Sequence, residues 1–252
     1  MENLKTIGII GYGHLGKALS ERIRQTLHDQ LLVSSGKEQN AEIARNADLL
    51  ILTVPPAQIA QVMKEIHEAI KKDAVVVSFA AATPAQHIGN GIQNQVVRVM
   101  TDINFRQMIA QKNTATDRLL SAIGRNPLLS AELEKDIDAF TVLIGCFPGI
   151  CAWQFAHNPD AEQWLKNYAI FVQNQIGVPV KVSHEIIDEV REKGNFELVI
   201  ATVATKGGVT ERLIKEISAN GDIAFPDLFE AGMKQIAEIA QNFEAPRQNR
   251  GV

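Results

Sequence analysis

The stretch Lys5 to Ser20, KTIGIIGYGHLGKALS, restricts the fold of this chain more than any other. It reads as an apolar run through Ile7, Ile9 and Ile10, then Gly11-Tyr12-Gly13-His14-Leu15-Gly16, then a helix beginning near Lys17. A glycine turn between a strand and a helix has a physical use. The first glycine permits the tight turn, the second lets a pyrophosphate approach the backbone, and the third lets the helix pack closely on the strand. The helix amino terminus then offers unpaired N–H donors to the phosphates, and His14 lies where it can touch them. Loops collect glycine for other reasons, so the weight of the pattern comes from its setting.

That setting is a run of alternating elements. Leu15–His28 reads as a helix, Leu31–Val33 as a short buried strand and Glu38–Asn46 as a helix. Asp48–Val54 reads as a strand buried on both faces, and Ala57–Lys71 has helical spacing through Ile59, Val62, Met63, Ile66 and Ile70. Ala74–Ala81 and Val96–Met100 read as further strands. This β-α-β-α-β order predicts an α/β amino-terminal domain, a Rossmann-type doubly wound parallel sheet that binds a dinucleotide, over residues 1–110. Strand signals fade from about Thr116. Apolar spacing over residues 131–155, 161–175, 183–191, 196–204, 209–219 and 227–242 predicts an all-α carboxyl-terminal domain over 111–252. Phe105–Thr114, polar and weakly periodic, is the expected junction, and Glu244–Val252 is expected to fray.

Composition narrows the function. The chain of 252 residues is 46% hydrophobic and carries a net charge of −4, from 25 basic and 29 acidic residues with no basic block. This argues against a nucleic-acid partner and against a polybasic membrane contact. MENLKTIGII has no basic leader followed by an apolar export signal, so a cytoplasmic location is expected. Cys146 and Cys151 stand in an apolar run and read as buried free thiols. The uncharged segment Ala139–Ala156 is broken by Gly145, Pro148 and Gly149, and reads as a buried core or subunit-interface helix rather than a membrane span. The six histidines show no ligand spacing with a nearby carboxylate, so no metal site is expected. Glu132/Glu134 and Asp136/Asp138 read as a solvated helix start.

The end of the second strand selects between dinucleotides. NAD sites of this fold place an acid there for the ribose hydroxyls. Here Ser34-Ser35-Gly36-Lys37 stands instead, two hydroxyls and an ammonium that suit a 2′-phosphate, so NADP is favoured with NAD as the alternative. Thr53, Val54, Pro55 and Pro56 close the third strand beside the expected cofactor, and Ala81 after the fourth strand could floor the nicotinamide. In the helical half, Thr205-Lys206-Gly207-Gly208-Val209-Thr210 is a second glycine turn feeding a helix. It reads as an anion nest with the Thr210 hydroxyl in the first helical turn, or else as a plain helix–helix turn with Lys206 solvated.

These motifs resemble those of the pyrroline-5-carboxylate reductase family along nearly the whole chain. Residues 11–16 match its glycine loop, and Thr53-Val54-Pro55-Pro56 stands where the family has Ala-Val-Lys-Pro. Ser78-Phe79-Ala80-Ala81-Ala82 resembles Ser-x-Ala-Ala-Gly. Residues 138–141 and 145–150 are similar to Asp-Ala-x-Thr and Gly-Ser-Gly-Pro-Ala-Tyr, and residues 205–210 to Ser-Pro-Gly-Gly-Thr-Thr. The resemblance implies hydride transfer from NADPH to the C=N bond of a cyclic imino acid, pyrroline-5-carboxylate to proline. It also implies a Gly207-Gly208 backbone that holds the substrate carboxylate, and a Thr210 hydroxyl near the ring nitrogen. A homodimer or larger homo-oligomer through the carboxyl-terminal helices follows on the same ground. The chain departs from the family at Met100-Thr101-Asp102-Ile103-Asn104, where the family has Met-Pro-Asn-Thr-Pro, and at Lys206 in place of proline. Asp102 is therefore expected to set a negative charge near the nicotinamide and substrate. The alternatives are a paralogue with another imine or carbonyl substrate, or a non-catalytic regulatory dimer.

Overall fold

The structure, a computed structural model, describes residues 5–34, 36–102 and 104–244. The chain divides into two compact units, one up to Ile137 and one from Asp138.

The first unit is built on a seven-stranded sheet. Five strands come first in the chain: β1 (Thr6–Ile10), β2 (Gln30–Val33), β3 (Leu49–Leu52), β4 (Val75–Ser78) and β5 (Val96–Thr101). They alternate with α1 (His14–Thr26), α2 (Lys37–Asn46), α3 (Pro56–Ile66) and the single turn α4 (Ala85–Ile88). The unit closes with β6 (Met108–Gln111), α5 (Thr114–Ile123) and β7 (Leu129–Ala131). Strand order is β2-β1-β3-β4-β5-β6-β7; β1 to β5 are mutually parallel, β6 runs antiparallel to β5, and β7 is parallel to β6.

The apolar runs are continuous because each strand feeds two cores. On one face Ile7, Ile9, Leu49, Ile51, Val77 and Val99 pack with Leu19 and Ile23 of α1 and with Leu119 and Ile123 of α5. On the other, Ile10, Leu50, Leu52 and Val76 pack with Ile43 of α2 and Ile59, Val62 and Ile66 of α3. A sheet covered on both faces is what parallel strands require, and it leaves the carboxyl ends of β1, β3 and β4 in loops that can serve a ligand.

Several sequence expectations are corrected here. The division falls at residue 137 rather than 110, because β6, α5 and β7 extend the sheet past the expected junction. Phe105–Thr114 is not a linker: it contains β6, with Met108, Ile109 and Ala110 buried. Both missed strands are short, and buried Arg106 and Gln107 disguise the first of them. β3 stops at Leu52, β4 spans only 75–78, and α3 ends at Ile66. Of the expected frayed tail, residues 245–252 lie outside the described residues.

The second unit is helical, as its spacing predicts. α6 (Glu134–Phe140) leads into a π-helical turn, Thr141–Gly145, and then into α7 (Phe147–His157). α8 (Ala161–Ile176), α9 (Val180–Lys193), α10 (Phe196–Val203), α11 (Val209–Ala219) and α12 (Phe225–Glu244) follow. α7 lies at the centre, packed on α8, α9, α10 and α11. This explains why it carries no Asp, Glu, Lys or Arg: Phe147, Ile150, Cys151 and Ala152 are fully buried. Glu134–His157 is long and apolar enough to cross a membrane, but most of its apolar stretch is buried inside the protein. Beside it Trp164 stacks on Tyr168 with centroids 5.3 Å apart, and Phe225 meets both rings edge-on.

Candidate functional site

The glycine loop is shaped by contacts that separate what the fold needs from what it leaves open. Gly11 has φ +106°, and a Cβ there would lie 2.8 Å from backbone atoms of Thr53 and Val54. A Cβ at Gly16 would overlap the Gly11 carbonyl oxygen. Both positions are thus demanded by the protein itself. Gly13 is different. Its φ of −77° suits any residue, and a Cβ there would meet nothing within 4 Å. The space above Gly13 faces the start of α1, which carries no side-chain cap and no acidic residue in its first turn. Its first N–H groups and dipole are therefore uncompensated within the loop, which favours an anion.

The remaining loop residues take distinct parts. Tyr12 is exposed, with the Lys17 ammonium 5.6 Å from its ring centroid, and His14 is exposed as the first helical residue. Leu15 is half-buried and packs on the core beneath the loop. Thr53 donates its hydroxyl to the Gly11 carbonyl at 2.6 Å, so it braces the turn. Val54 is buried, Pro55 caps α3, and Pro56 opens it. Ala81 is half-buried, and its carbonyl accepts the Thr83 hydroxyl at 3.1 Å. Next to it, Ala82 is buried with φ +54°, a left-handed conformation that glycine adopts more easily.

At the end of β2 the structure sorts the expected phosphate ligands. Ser34 is buried, its hydroxyl 2.6 Å from the Asn40 amide oxygen and 2.8 Å from the Gly36 carbonyl, so it shapes the turn instead of facing a ligand. Ser35 lies outside the described residues. Lys37 opens α2 with an exposed side chain. The Glu38 carboxylate folds back beside Gly36, where a Cβ would lie 3.1 Å from it.

Asp102 corrects a sequence expectation. It is 3% exposed, and its carboxylate accepts the Arg106 N–H and guanidinium, both at 2.7 Å, with the Asn104 N–H at 3.2 Å. The charge expected beside the nicotinamide and substrate is instead paired with Arg106, in a clasp that holds the loop after β5, where Phe105 takes φ +54°. Glu134 is likewise no solvated helix residue. Its carboxylate accepts the Ala85 N–H at 2.8 Å and lies 3.5 Å from the buried Arg98 guanidinium.

In the second unit, the turn before α11 holds Thr205, Lys206 and Gly207 at the surface, with Gly207 at φ +72°. Its expected nest is already engaged. The Gly207 N–H donates to the Glu211 carboxylate at 2.8 Å and the Gly208 N–H to the Thr205 carbonyl at 2.8 Å. Glu211 also pairs with Lys215 at 3.1 Å, and the Gly207 N–H and this lysine hold its carboxyl below the usual range. Sequence reasoning missed Glu211, although Gly208-x-x-Glu211 has the spacing of a capping box, in which a glutamate reaches back to the helix start. Val209 and Thr210 are buried against the interior of the unit. Burial pushes the Cys146 thiol up to about 12, with the neighbouring Thr210 pulling weakly the other way. Cys146 and Cys151 are both free and buried, and no cluster with metal-ligand character occurs among the described residues.

Residues 24–82 match the family model described as NADP oxidoreductase coenzyme F420-dependent. Pyrroline-5-carboxylate reductase 3 of Bacillus subtilis is 22% identical over 267 residues, covering 92% of this chain and 96% of that protein. The pyrroline-5-carboxylate reductase of Pseudomonas aeruginosa is 27% identical over 226 residues, covering 81% of this chain and 79% of its own. The solved pyrroline carboxylate reductase of Plasmodium falciparum with NADP bound shares the fold at a TM-score of 0.54 and 16% identity, covering 97% of this chain and 100% of that one. Along most of its length the chain is thus similar to pyrroline-5-carboxylate reductases, at low identity.

Proposed function

We propose that this chain is an NADPH-dependent reductase that acts on the C=N bond of a cyclic imino acid, converting pyrroline-5-carboxylate to proline. The observation that carries the cofactor half is Gly13: the fold does not require glycine there, whereas a pyrophosphate lying on the backbone does. Gly13 and the first N–H groups of α1 would hold that pyrophosphate, with Lys17 and His14 at its edge. Lys37 would take the 2′-phosphate, and the nearby Glu38 carboxylate keeps NAD as the alternative dinucleotide.

When bound, the dinucleotide supplies a hydride to the imine carbon. The chain's own part is positional and electrostatic. Thr210 would meet the ring nitrogen, and the turn at Gly207-Gly208 would receive the substrate carboxylate. That carboxylate must displace Glu211 from the Gly207 N–H, and Lys206 and Lys215 stand close enough in sequence and space to share the charge. Holding two rings in a reactive geometry lowers the barrier of an already electrophilic iminium without a metal.

Self-association through the carboxyl-terminal helices belongs to this reading. On α10, FELVIATV, only Val199 is buried, and Leu198 is 61% exposed, as is 53% of Ile170 on α8. We place the enzyme in the cytoplasm. The Glu211–Gly207 contact favours a second reading, in which the substrate is another imine or carbonyl compound without a carboxylate at that point.

The test follows NADPH absorbance with pyrroline-5-carboxylate as substrate and NADH run alongside. Turnover that prefers NADPH is expected. Binding of NADPH with no consumption would shift the case to the second reading, and failure of either dinucleotide to bind would overturn both.

A further inference from the structure

The amino-terminal edge of the sheet, at the other end of β1 from the glycine loop, carries a cavity of about 290 Å³. Its floor is apolar: Ile7 of β1, Leu49 of β3 and Leu119 of α5, with Leu27 at the end of α1. Thr114 and Ala115, which open α5, form part of the rim, and the charged groups of the wall are Lys5, Asp29 and Arg118. One Asp29 carboxylate oxygen accepts the Lys5 backbone N–H at 2.8 Å and the Arg118 guanidinium at 3.1 Å. The ion pair is lopsided toward solvent, with 2% of the Asp29 side chain exposed and 41% of that of Arg118. The acid thus holds the guanidinium from behind, and the face that a ligand meets is cationic. A volume near 300 Å³ is at the small end of ligand sites, and an apolar cavity of about half that size takes up benzene.

We propose that this cavity is a second ligand site, for an apolar monocarboxylate of about six to ten carbons, with its tail on Ile7, Leu49 and Leu119 and its carboxylate on the Arg118 guanidinium. A guanidinium carries five N–H donors, enough to serve a buried acid and an incoming carboxylate together. The Asp29 contact fixes its plane beforehand, so less side-chain freedom is lost when the ligand docks. An amine of the same length meets the guanidinium rather than the covered Asp29 carboxylate, and is repelled. An alcohol keeps the apolar contact and forgoes the charge-assisted one. The site shares no residue with the glycine loop or with the turn before α11, so it is independent of the dinucleotide and of the imino acid.

The experiment is calorimetric titration of the full chain with octanoate, and with butanoate, octanol and octylamine as comparisons. Octanoate should bind about 15-fold tighter than butanoate, the worth of roughly four half-buried methylenes. Octanol should bind about tenfold more weakly than octanoate, for want of one hydrogen bond between charged groups, and octylamine more weakly still. Arg118→Met should cost octanoate about tenfold and leave octanol unchanged. Ala115→Phe sets a ring into the cavity from the first turn of α5 and should abolish octanoate binding at an unchanged melting temperature. Gly13→Ala should bind octanoate like wild type. A wild type that binds no octanoate below its micellar concentration overturns the proposal, as does octanol or octylamine that matches octanoate. So does a folded Ala115→Phe protein that still binds, or a loss in Gly13→Ala, which would move the ligand to the glycine loop. Where Ala115→Phe melts lower than wild type, Arg118→Met carries the test, and octanoate affinity equal to wild type in that variant overturns the site.

Discussion

Replacing Gly13 with alanine separates fold from ligand more cleanly than any other change in the first unit. The backbone there, φ −77° and ψ −162°, is extended and open to alanine, and the new methyl would meet no atom within 4 Å. Stability should therefore hold or rise by about 0.5 kcal/mol, since alanine has less freedom to lose from the unfolded chain. Binding should suffer. A methyl standing where the pyrophosphate approaches the loop forces a shift that costs contact with the first N–H groups of α1. One or two charge-assisted hydrogen bonds at about 1.5 kcal/mol each raise the NADPH dissociation constant by roughly 10- to 100-fold. Gly16→Ala is the control with the opposite signature. Its Cβ would overlap the Gly11 carbonyl oxygen and press on the Thr53 hydroxyl, so it should lose about 2 kcal/mol of stability before any ligand is added. Thermal denaturation reads the first quantity, and nicotinamide fluorescence on titration reads the second. A Gly13→Ala protein that binds NADPH like wild type would refute the argument, because the open space above Gly13 would then hold no phosphate.

Three further substitutions probe the other contacts. Lys37→Met should weaken NADPH about tenfold and leave NADH unchanged, by the same titration, because on the proposed reading a single ammonium would face the 2′-phosphate once Ser34 is occupied with its own turn. Asp102→Asn should not raise turnover; it should instead cost about 3 kcal/mol in denaturant unfolding, since it strips the charge from a buried pair whose carboxylate also gathers the Arg106 and Asn104 N–H groups. Glu211→Gln should lower KM for pyrroline-5-carboxylate about fivefold with kcat little changed, because an amide competes less well than a carboxylate for the Gly207 N–H. A KM that stays at the wild-type value would show that the substrate does not use that turn.

Much of the parallel sheet was legible because each strand is apolar on both faces, and α2 and α9 to α12 because their spacing repeats every three to four residues. β6 and β7 were not, since three or four residues hold too few alternations to reveal a period, and a buried Arg106 beside them reads as loop. The glycine loop was visible as a motif, but the division of labour within it was not. It emerges only in the folded chain, where Gly11 and Gly16 answer to Thr53 and to each other while Gly13 answers to nothing within 4 Å. Charge misled most. Asp102 reads in sequence as a charge beside the substrate and Glu134 as a solvated one, yet each is paired, with Arg106 and Arg98, in contacts that depend on the fold. Glu211 lay within a recognisable spacing, but its carboxylate matters only because the N–H it reaches belongs to the turn that a substrate anion would want.

The π-helical turn at Thr141–Gly145 bears on all of this through phase. There the Cys146 N–H reaches back five residues, to the Thr141 carbonyl at 3.0 Å, instead of four. The wider loop admits one extra residue without breaking the rod, and every side chain after it is turned by about a third of a revolution, the angle one residue subtends on a helix. Val142, at the start of the wide turn, lies against Gly232 of α12; Gly149, beyond it, faces Thr210 of α11. An uninterrupted α-helix through the same residues would present one of these faces correctly and misdirect the other. The irregularity is thus a clutch between two gears, letting a single rod mesh with two neighbours that lie at different angles around it.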